Sequence, residues 1–274
     1  MRAIAHVSDF HFGRDDPVVA DALARDVNNS KPDLLVFSGD FTQRARAGQY
    51  RRAANFRARL PVPQLLIPGN HDVPLYDVFS RVFKPLGNYR RFIGPTPPRT
   101  FFDDQIAVMG LNSTRRLCLT PTGFWKDGSV SKSALEEAVR WFLDVPEETT
   151  KIVVTHHPFL APPGRKVHGT ILHAERTLWA LSECGVHILL GGHLHRSYCG
   201  LVAAPDGRRN MLSIQAGTAL STRLRNEPNA WNRIVVDPHV VTVEVRAWTG
   251  TYFTSAGVSR FVRTDAGGWE AAID

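Results

Sequence analysis

Cysteine is scarce in this chain of 274 residues. Cys118, Cys184 and Cys199 are widely spaced and form no Cys-x-x-Cys pair. Neither a disulfide framework nor a thiolate zinc site is therefore expected. No apolar run approaches the roughly 18 residues of a membrane helix, so a transmembrane segment is not expected either. The amino terminus enters a strand-like stretch at once, without the apolar region and small-residue cleavage site of a secretory signal. A cytoplasmic location is the expectation. Lysine is rare too: of 33 basic residues 27 are Arg and 6 are Lys, set against 26 acidic residues for a net charge of +7. Acid is missing altogether between Phe41 and His71, a stretch that holds Arg44, Arg46, Arg51, Arg52, Arg57 and Arg59. The planar fork of arginine suits phosphate and carboxylate, which points to an anionic partner. The chain has no basic track interleaved with aromatics and no dedicated nucleic-acid-binding module.

What the chain does have is an ordinary globular composition, 43% hydrophobic and 22% charged, which supplies a core and excludes disorder as the main state. Short apolar runs at residues 3–8, 34–37, 65–67, 152–154 and 188–190, bounded by Gly and Pro, read as buried strands. Helical patterns occupy residues 18–27, 45–60 and 173–184. The capping-box spacing of Ser133 and Glu136 opens another helix that reaches Leu143. Strands alternating with helices predict an α/β fold with strands buried between helices. The final third, residues 200–274, is mainly β, with strand-like segments at residues 211–216, 233–237, 240–248 and 259–263. Those segments are expected to form a second, more antiparallel sheet packed on the first. A hairpin is expected where Asp103, Asp104 and Gln105 join residues 101–102 to residues 106–111. With no linker, repeat or low-complexity segment, residues 1–274 read as a single domain.

The five buried runs end in polar residues of one kind. They are Asp9-Phe10-His11, Gly39-Asp40, Gly69-Asn70-His71-Asp72, Thr155-His156-His157 and Gly192-His193-Leu194-His195. In an open α/β sheet, ligands collect at the carboxyl ends of the strands. One Asp in such a place is an ordinary turn residue. Asp or His at the ends of five separate strands is not expected of independent turns. Two carboxylates, a side-chain carbonyl and several imidazoles, with no thiolate, suit divalent Mn, Fe, Co or Zn.

The succession D-x-H, G-D, G-N-H-D, H and G-H-x-H resembles that of the calcineurin-like metallophosphoesterase superfamily, and the likeness runs over residues 9–195. It implies a four-layer α/β/β/α sandwich with mixed sheets and a dinuclear metal centre at the carboxyl ends of the strands. It implies that Asp9, His11, Asp40 and His195 hold one metal ion, and Asp40, Asn70, His156 and His193 the other, with Asp40 bridging. His157 is then a packing or supporting residue. The implied activity is hydrolysis of phosphodiester bonds by attack of a metal-bridging hydroxide, with the metal ions offsetting charge on the phosphoryl oxygens. His71, adjacent to Asn70 but outside the ligand set, is the candidate general acid for the leaving oxygen. Asp72 is the candidate to orient it.

Gly39-Asp40 continues as Phe41-Thr42-Gln43-Arg44, without the acidic residue and final glycine of the Ser/Thr protein phosphatases in this superfamily. Together with Leu111-Asn112-Ser113 and His156-His157-Pro158, the pattern is similar to the bacterial cyclic-nucleotide phosphodiesterase branch. That branch implies a small phosphoester substrate and a cyclic-nucleotide-like or broad specificity. One alternative is a nucleotide-linked lipid pyrophosphatase, for which peripheral membrane contact would follow. Another is a metal-free binding scaffold, which requires missing ligands, and none is missing. Two segments are long enough to overhang the site, residues 112–128 with Phe124 and Trp125, and residues 161–169. From them Arg115, Arg116 and His168 are candidate substrate contacts. The loop at residues 218–232, with Arg223, Arg225 and Trp231, receives no role.

Overall fold

The computed structural model describes residues 1–60, 63–116, 126–160, 169–205, 207 and 209–272. In chain order it forms β1 (Arg2–Val7), α1 (Pro17–Asn29), β2 (Leu34–Phe37), α2 (Ala47–Arg57) and β3 (Gln64–Leu66). A 3-10 turn (Asn70–Asp72) and two short helices follow, α3 (Val78–Phe83) and α4 (Gly87–Phe92). Next come β4 (Arg99–Phe102), β5 (Ile106–Gly110), α5 (Lys132–Leu143), β6 (Thr150–Val154), α6 (Ala174–Glu183) and β7 (Ile188–Gly191). The chain finishes with β8 (Tyr198–Ala203), β9 (Asn210–Gln215), β10 (Ala230–Val236), β11 (Val240–Trp248), β12 (Phe253–Arg263) and β13 (Trp269–Ala271).

The strands make two mixed sheets, ordered β13-β12-β11-β10-β1-β2-β3 and β4-β5-β6-β7-β9-β8. β1, β2 and β3 run parallel, as do β5, β6, β7 and β9. Side chains alternate along each central strand between two apolar layers. Leu34 and Val36 face the layer between the sheets, and Leu35 and Phe37 face the helix side. Ile152 and Val154 likewise meet that inner layer, with Val153 directed toward the outer layer that holds Phe142 and Leu181. Strands covered on both faces read as unbroken apolar runs, which is why residues 34–37 and 152–154 show no polar alternation. α1 and α2 cover one sheet with Leu23, Tyr50 and Phe56, while α5 and α6 cover the other with Ala138, Phe142 and Leu178. The layers are therefore α/β/β/α, as expected.

Two local expectations change. The C-terminal strands form no sheet of their own. β10 pairs antiparallel with β1 and carries β11 to β13 outward, whereas β9 lies parallel beside β7 with β8 at its edge. Both sheets are thus completed by the last third of the chain. Helix α5 is capped by Ser131 rather than Ser133: its extended backbone turns the hydroxyl to accept from the Ala134 N–H at 3.2 Å. The 101–111 hairpin is present, β4 pairing antiparallel with β5. Among the described residues no helix is long and apolar enough to cross a membrane.

Phe142 is fully buried where α5 meets the second sheet. Phe142→Ala is expected to lower the unfolding free energy by about 3–5 kcal/mol, measured by urea denaturation. A loss below about 1 kcal/mol would mean that α5 is not seated on the sheet.

Candidate metal centre

β1, β2, β3, β6 and β7 all deliver their last residues to one edge of the sandwich. The loops are sewn together there, Asp9 N–H donating to the Gly39 carbonyl at 3.1 Å, His11 N–H to Asp40 at 2.9 Å and Gly192 N–H to His156 at 3.0 Å. To turn its side chains inward the backbone enters the left-handed region at Asp9 (φ 55°), His11 (50°), Asp40 (56°), His193 (72°) and His195 (57°). Such conformations cost about 1–3 kcal/mol each in non-glycine residues and collect at functional sites. Gly69 serves a different need. A Cβ there would lie 2.1 Å from Asp40 Oδ1, so only glycine lets the G-N-H-D turn close on that carboxylate.

The side-chain donors converge in two sets. In the first, His11 Nε2 lies 3.1 Å from His195 Nε2 and 3.6 Å from both Asp9 Oδ1 and Asp40 Oδ2, and His195 Nε2 lies 3.3 Å from Asp9 Oδ1. In the second, His156 Nε2 lies 3.4 Å from Asp40 Oδ2, 3.1 Å from Asn70 Oδ1 and 3.3 Å from His193 Nδ1, which is 3.0 Å from Asn70 Oδ1. Asp40 Oδ2 belongs to both. Donors held at about 2.1 Å from one ion stand about 3.0–3.4 Å apart in octahedral or tetrahedral arrangement. Apart from the two 3.6 Å separations from His11 Nε2 the spacings match, and the chemistry fits as well. Asp9 Oδ1 and Asp40 Oδ2 are buried with no hydrogen-bond partner, an arrangement that bare carboxylates do not tolerate. These residues could hold two cations.

Outer contacts fix the rings. The Nδ1 sides of His156 and His195 face the backbone carbonyls of Ser38 and Arg223 at 2.8 and 3.2 Å, which aims both Nε2 atoms at the centre. Burial works against ionisation of Asp9 and Asp40. The imidazole charges, chiefly His195 for Asp9 and His156 for Asp40, outweigh it and hold both pKa values below the carboxylate range. Burial also opposes a charge on His156, but Asp40 beside it lifts that pKa to about 9. His193 and His195 are driven down by burial, to about 3 and about 4. The centre is thus a buried anionic spot that draws positive charge.

His71 sits at the rim, its Nδ1 facing the Gln43 carbonyl at 3.0 Å and its Nε2 3.5 Å from the Arg223 guanidinium. Burial lowers its pKa, with Asp40 pulling the other way. The Asp72 carboxylate is engaged elsewhere. It accepts from the N–H groups of Gly69, Phe41 and Thr42 at 2.9, 3.1 and 2.9 Å and from the Thr42 hydroxyl. Asp72 therefore staples two ligand loops together, and Gln43 takes the place beside His71 expected for it. Burial, aided by the nearby Asp40 charge, pushes Asp72 up to about 7. His157 is buried, with Nδ1 2.8 Å from Ser113 Oγ, and its ring stands 4.7 Å from that of His193. A cavity of about 150 Å³ reaches Asn70 and His71, and its cationic lining is Arg44, Arg81, Lys126 and Arg223. Arg115 and Arg116 are not in that lining, and His168, Phe124 and Trp125 lie outside the described residues.

Residues 2–197 match the calcineurin-like phosphoesterase family. The chain belongs to that family. Among calcineurin-like phosphoesterases and other curated proteins, it is 28% identical over 167 residues to the 3',5'-cyclic adenosine monophosphate phosphodiesterase CpdA of Escherichia coli, covering 60% of this chain and 54% of that one. It is 34% identical over 76 residues to the UDP-2,3-diacylglucosamine pyrophosphatase LpxG of Chlamydia muridarum, covering 27% and 23%. The chain thus spans about half of the first relative and about a quarter of the second. In structure it is similar to a dimetal phosphatase from Danio rerio, with a TM-score of 0.61 at 13% identity, covering 93% and 98%. That likeness is one of fold.

Sequence patterns brought the polar strand ends of this calcineurin-like phosphoesterase into view, but not Arg223, whose carbonyl meets one ring and whose guanidinium meets another. Its only signal was an arginine in a long loop. The Gly69→Ala variant is expected to bind Mn at least about tenfold more weakly by pushing Asp40 aside, read as metal per chain after equilibrium dialysis. Wild-type affinity would show that the Asp40 loop yields freely.

Proposed function

We propose that this protein is a dinuclear metal-dependent phosphodiesterase. The observation that carries the reading is the pair of donor sets sharing Asp40 Oδ2, each spaced as ligands about one ion. Asp9, His11, Asp40 and His195 hold one ion and Asp40, Asn70, His156 and His193 the other, drawn from Mn, Fe, Zn or Co. When bound, the ions supply Lewis acidity that activates water near neutral pH and offsets phosphoryl charge. Residues 1–274 then act as one domain, since the strands beyond the G-H-x-H segment complete both sheets and the Arg223 loop returns to His195.

The remaining roles fall to the rim. The backbone carbonyl of Gln43 accepts from His71 Nδ1–H and directs Nε2 into the cavity. Nε2 is not a metal ligand in this reading, because the Arg223 cation lies beside it. A phosphoryl anion entering the cavity offsets the burial that lowers His71 and restores a proton to Nε2. That proton passes to the departing oxygen. Diester specificity is supported by the likeness to the cyclic AMP phosphodiesterase. Pyrophosphatase action on a nucleotide-linked lipid is a second reading, supported by the likeness to LpxG and by exposed Tyr76, Val78, Phe79 and Phe83 in and just before α3, the helix whose Arg81 lines the cavity.

Asp40→Ala should lower the turnover of bis(p-nitrophenyl) phosphate by Mn-loaded protein by about a thousandfold or more, together with its metal content. Unchanged turnover would remove the shared carboxylate from the mechanism. His71→Ala should retain two metal ions per chain yet lose about a hundredfold to ten-thousandfold in kcat, with the greatest loss for poor leaving groups. Metal loss with an unchanged rate per bound ion would make His71 structural instead.

A further inference from the structure

The arginines that follow Asp40 divide into two kinds. Arg52 in α2 and Arg59 just beyond it pair with Asp15 and Asp21. Arg44 and Arg46, just before the helix, turn instead toward a cavity of about 670 Å³ between the start of α2 and the α3–α4 segment. Lys84 and Arg91 line its far side. None of these four cations forms an ion pair among the described residues. Arg44 is held by neutral partners, donating to the Tyr76 hydroxyl at 2.8 Å with its guanidinium 4.9 Å above the Tyr76 ring. Those contacts fix the group without cancelling its charge. The acids among the described lining residues are Asp72 and Asp77, fewer than the four cations, and the Ser80 contacts leave the Asp77 charge in place. Asp72 staples the ligand loops, while Asp77 caps α3 through the N–H and hydroxyl of Ser80.

This cavity adjoins the one at His71, with Arg44 and Leu75 in the lining of both. A cationic trough therefore leads away from the metal centre on its His71 side. Its size lies in the range of about 300–1,000 Å³ usual for whole ligands, well beyond what one phosphate fills. A cyclic nucleotide brings a single charge, contained in the bond to be cut. It would leave Arg46, Lys84 and Arg91 without a counter-charge.

We propose that this trough is a second anion subsite, and that the favoured substrates are phosphodiesters carrying a further phosphate beyond the scissile one. The proposal rests on the phosphodiesterase reading and narrows it to nucleotide diesters that carry an additional phosphomonoester group. Arg44 stands at the junction and contacts both anions. Arg46, Lys84 and Arg91 take the distal one, so their contribution is read in affinity rather than in the chemical step.

The test compares the p-nitrophenyl ester of thymidine 5'-phosphate with the same ester carrying a 3'-phosphate, on Mn-loaded protein. Scissile bond and leaving group are then identical. The ester with the 3'-phosphate should show kcat/KM about tenfold higher, chiefly through KM, and the advantage should shrink as salt is raised. In the Arg46→Ala/Lys84→Ala/Arg91→Ala variant, with its fold checked by circular dichroism, the ratio between the two esters should fall toward one. Calorimetry with thymidine 3',5'-bisphosphate and thymidine 5'-phosphate gives the same comparison without turnover. A wild-type protein that binds the two equally, or a triple variant that keeps the full preference, overturns the subsite. If neither ester is hydrolysed while the bisphosphate still binds about tenfold more tightly, the subsite stands and the phosphodiesterase reading fails.

Discussion

Two carboxylates, Asp9 and Asp40, are buried at the junction of the two sheets, and both are held ionised. Buried negative charge without a counter-ion is among the costliest arrangements in a protein. The surroundings are organised around that constraint. Imidazoles approach from three chain segments, Gly69 removes the Cβ that would displace Asp40, and five backbone positions accept left-handed geometry to keep the donors inward. A centre built this way calls for cations. Cations held there would offset the desolvation of the carboxylates and the strain of the loops, which would couple metal binding to local stability.

The same constraint orders the outer contacts. Asp72, although buried, does not enter the donor set. It ties Gly69, Phe41 and Thr42 together and so keeps the loop of Asp40 against the turn of Asn70. Ser38 and Arg223 lend main-chain carbonyls to His156 and His195, which settles the face each ring presents. These contacts come from backbone atoms, which every residue possesses, and no side-chain pattern announces them.

Arginine's excess over lysine has more than one structural meaning. Arg246 grips Asp26 through two nitrogens, each at 2.7 Å, and Arg52 and Arg59 hold α2 to the acids near α1. Arg44, Arg46 and Arg223 instead face the cavities beside the metal centre. Charge counting treats these groups alike. What separates them is whether folding brings an acid within reach, as it does for Arg52 and Arg59 across to the residues around α1.

The local chain was sufficient to determine the layered α/β class, the five buried strands and the polar residue types at their ends. Strand burial on two faces imposes unbroken apolar runs, and metal chemistry imposes Asp, Asn and His, so both constraints leave marks residue by residue. The placing of the last third was not legible, because hydrophobic alternation identifies a strand but not its neighbour, and β9 and β10 joined different sheets. Helix α3 was equally hidden, since five of its six residues are β-branched, aromatic or both short and polar, and none of the six is buried. Only the tertiary structure set Gln43 rather than Asp72 beside His71 and brought Arg223 to the same ring. Such proximity depends on how separate loops close over a shared edge, a long-range property that spacing along one chain does not carry.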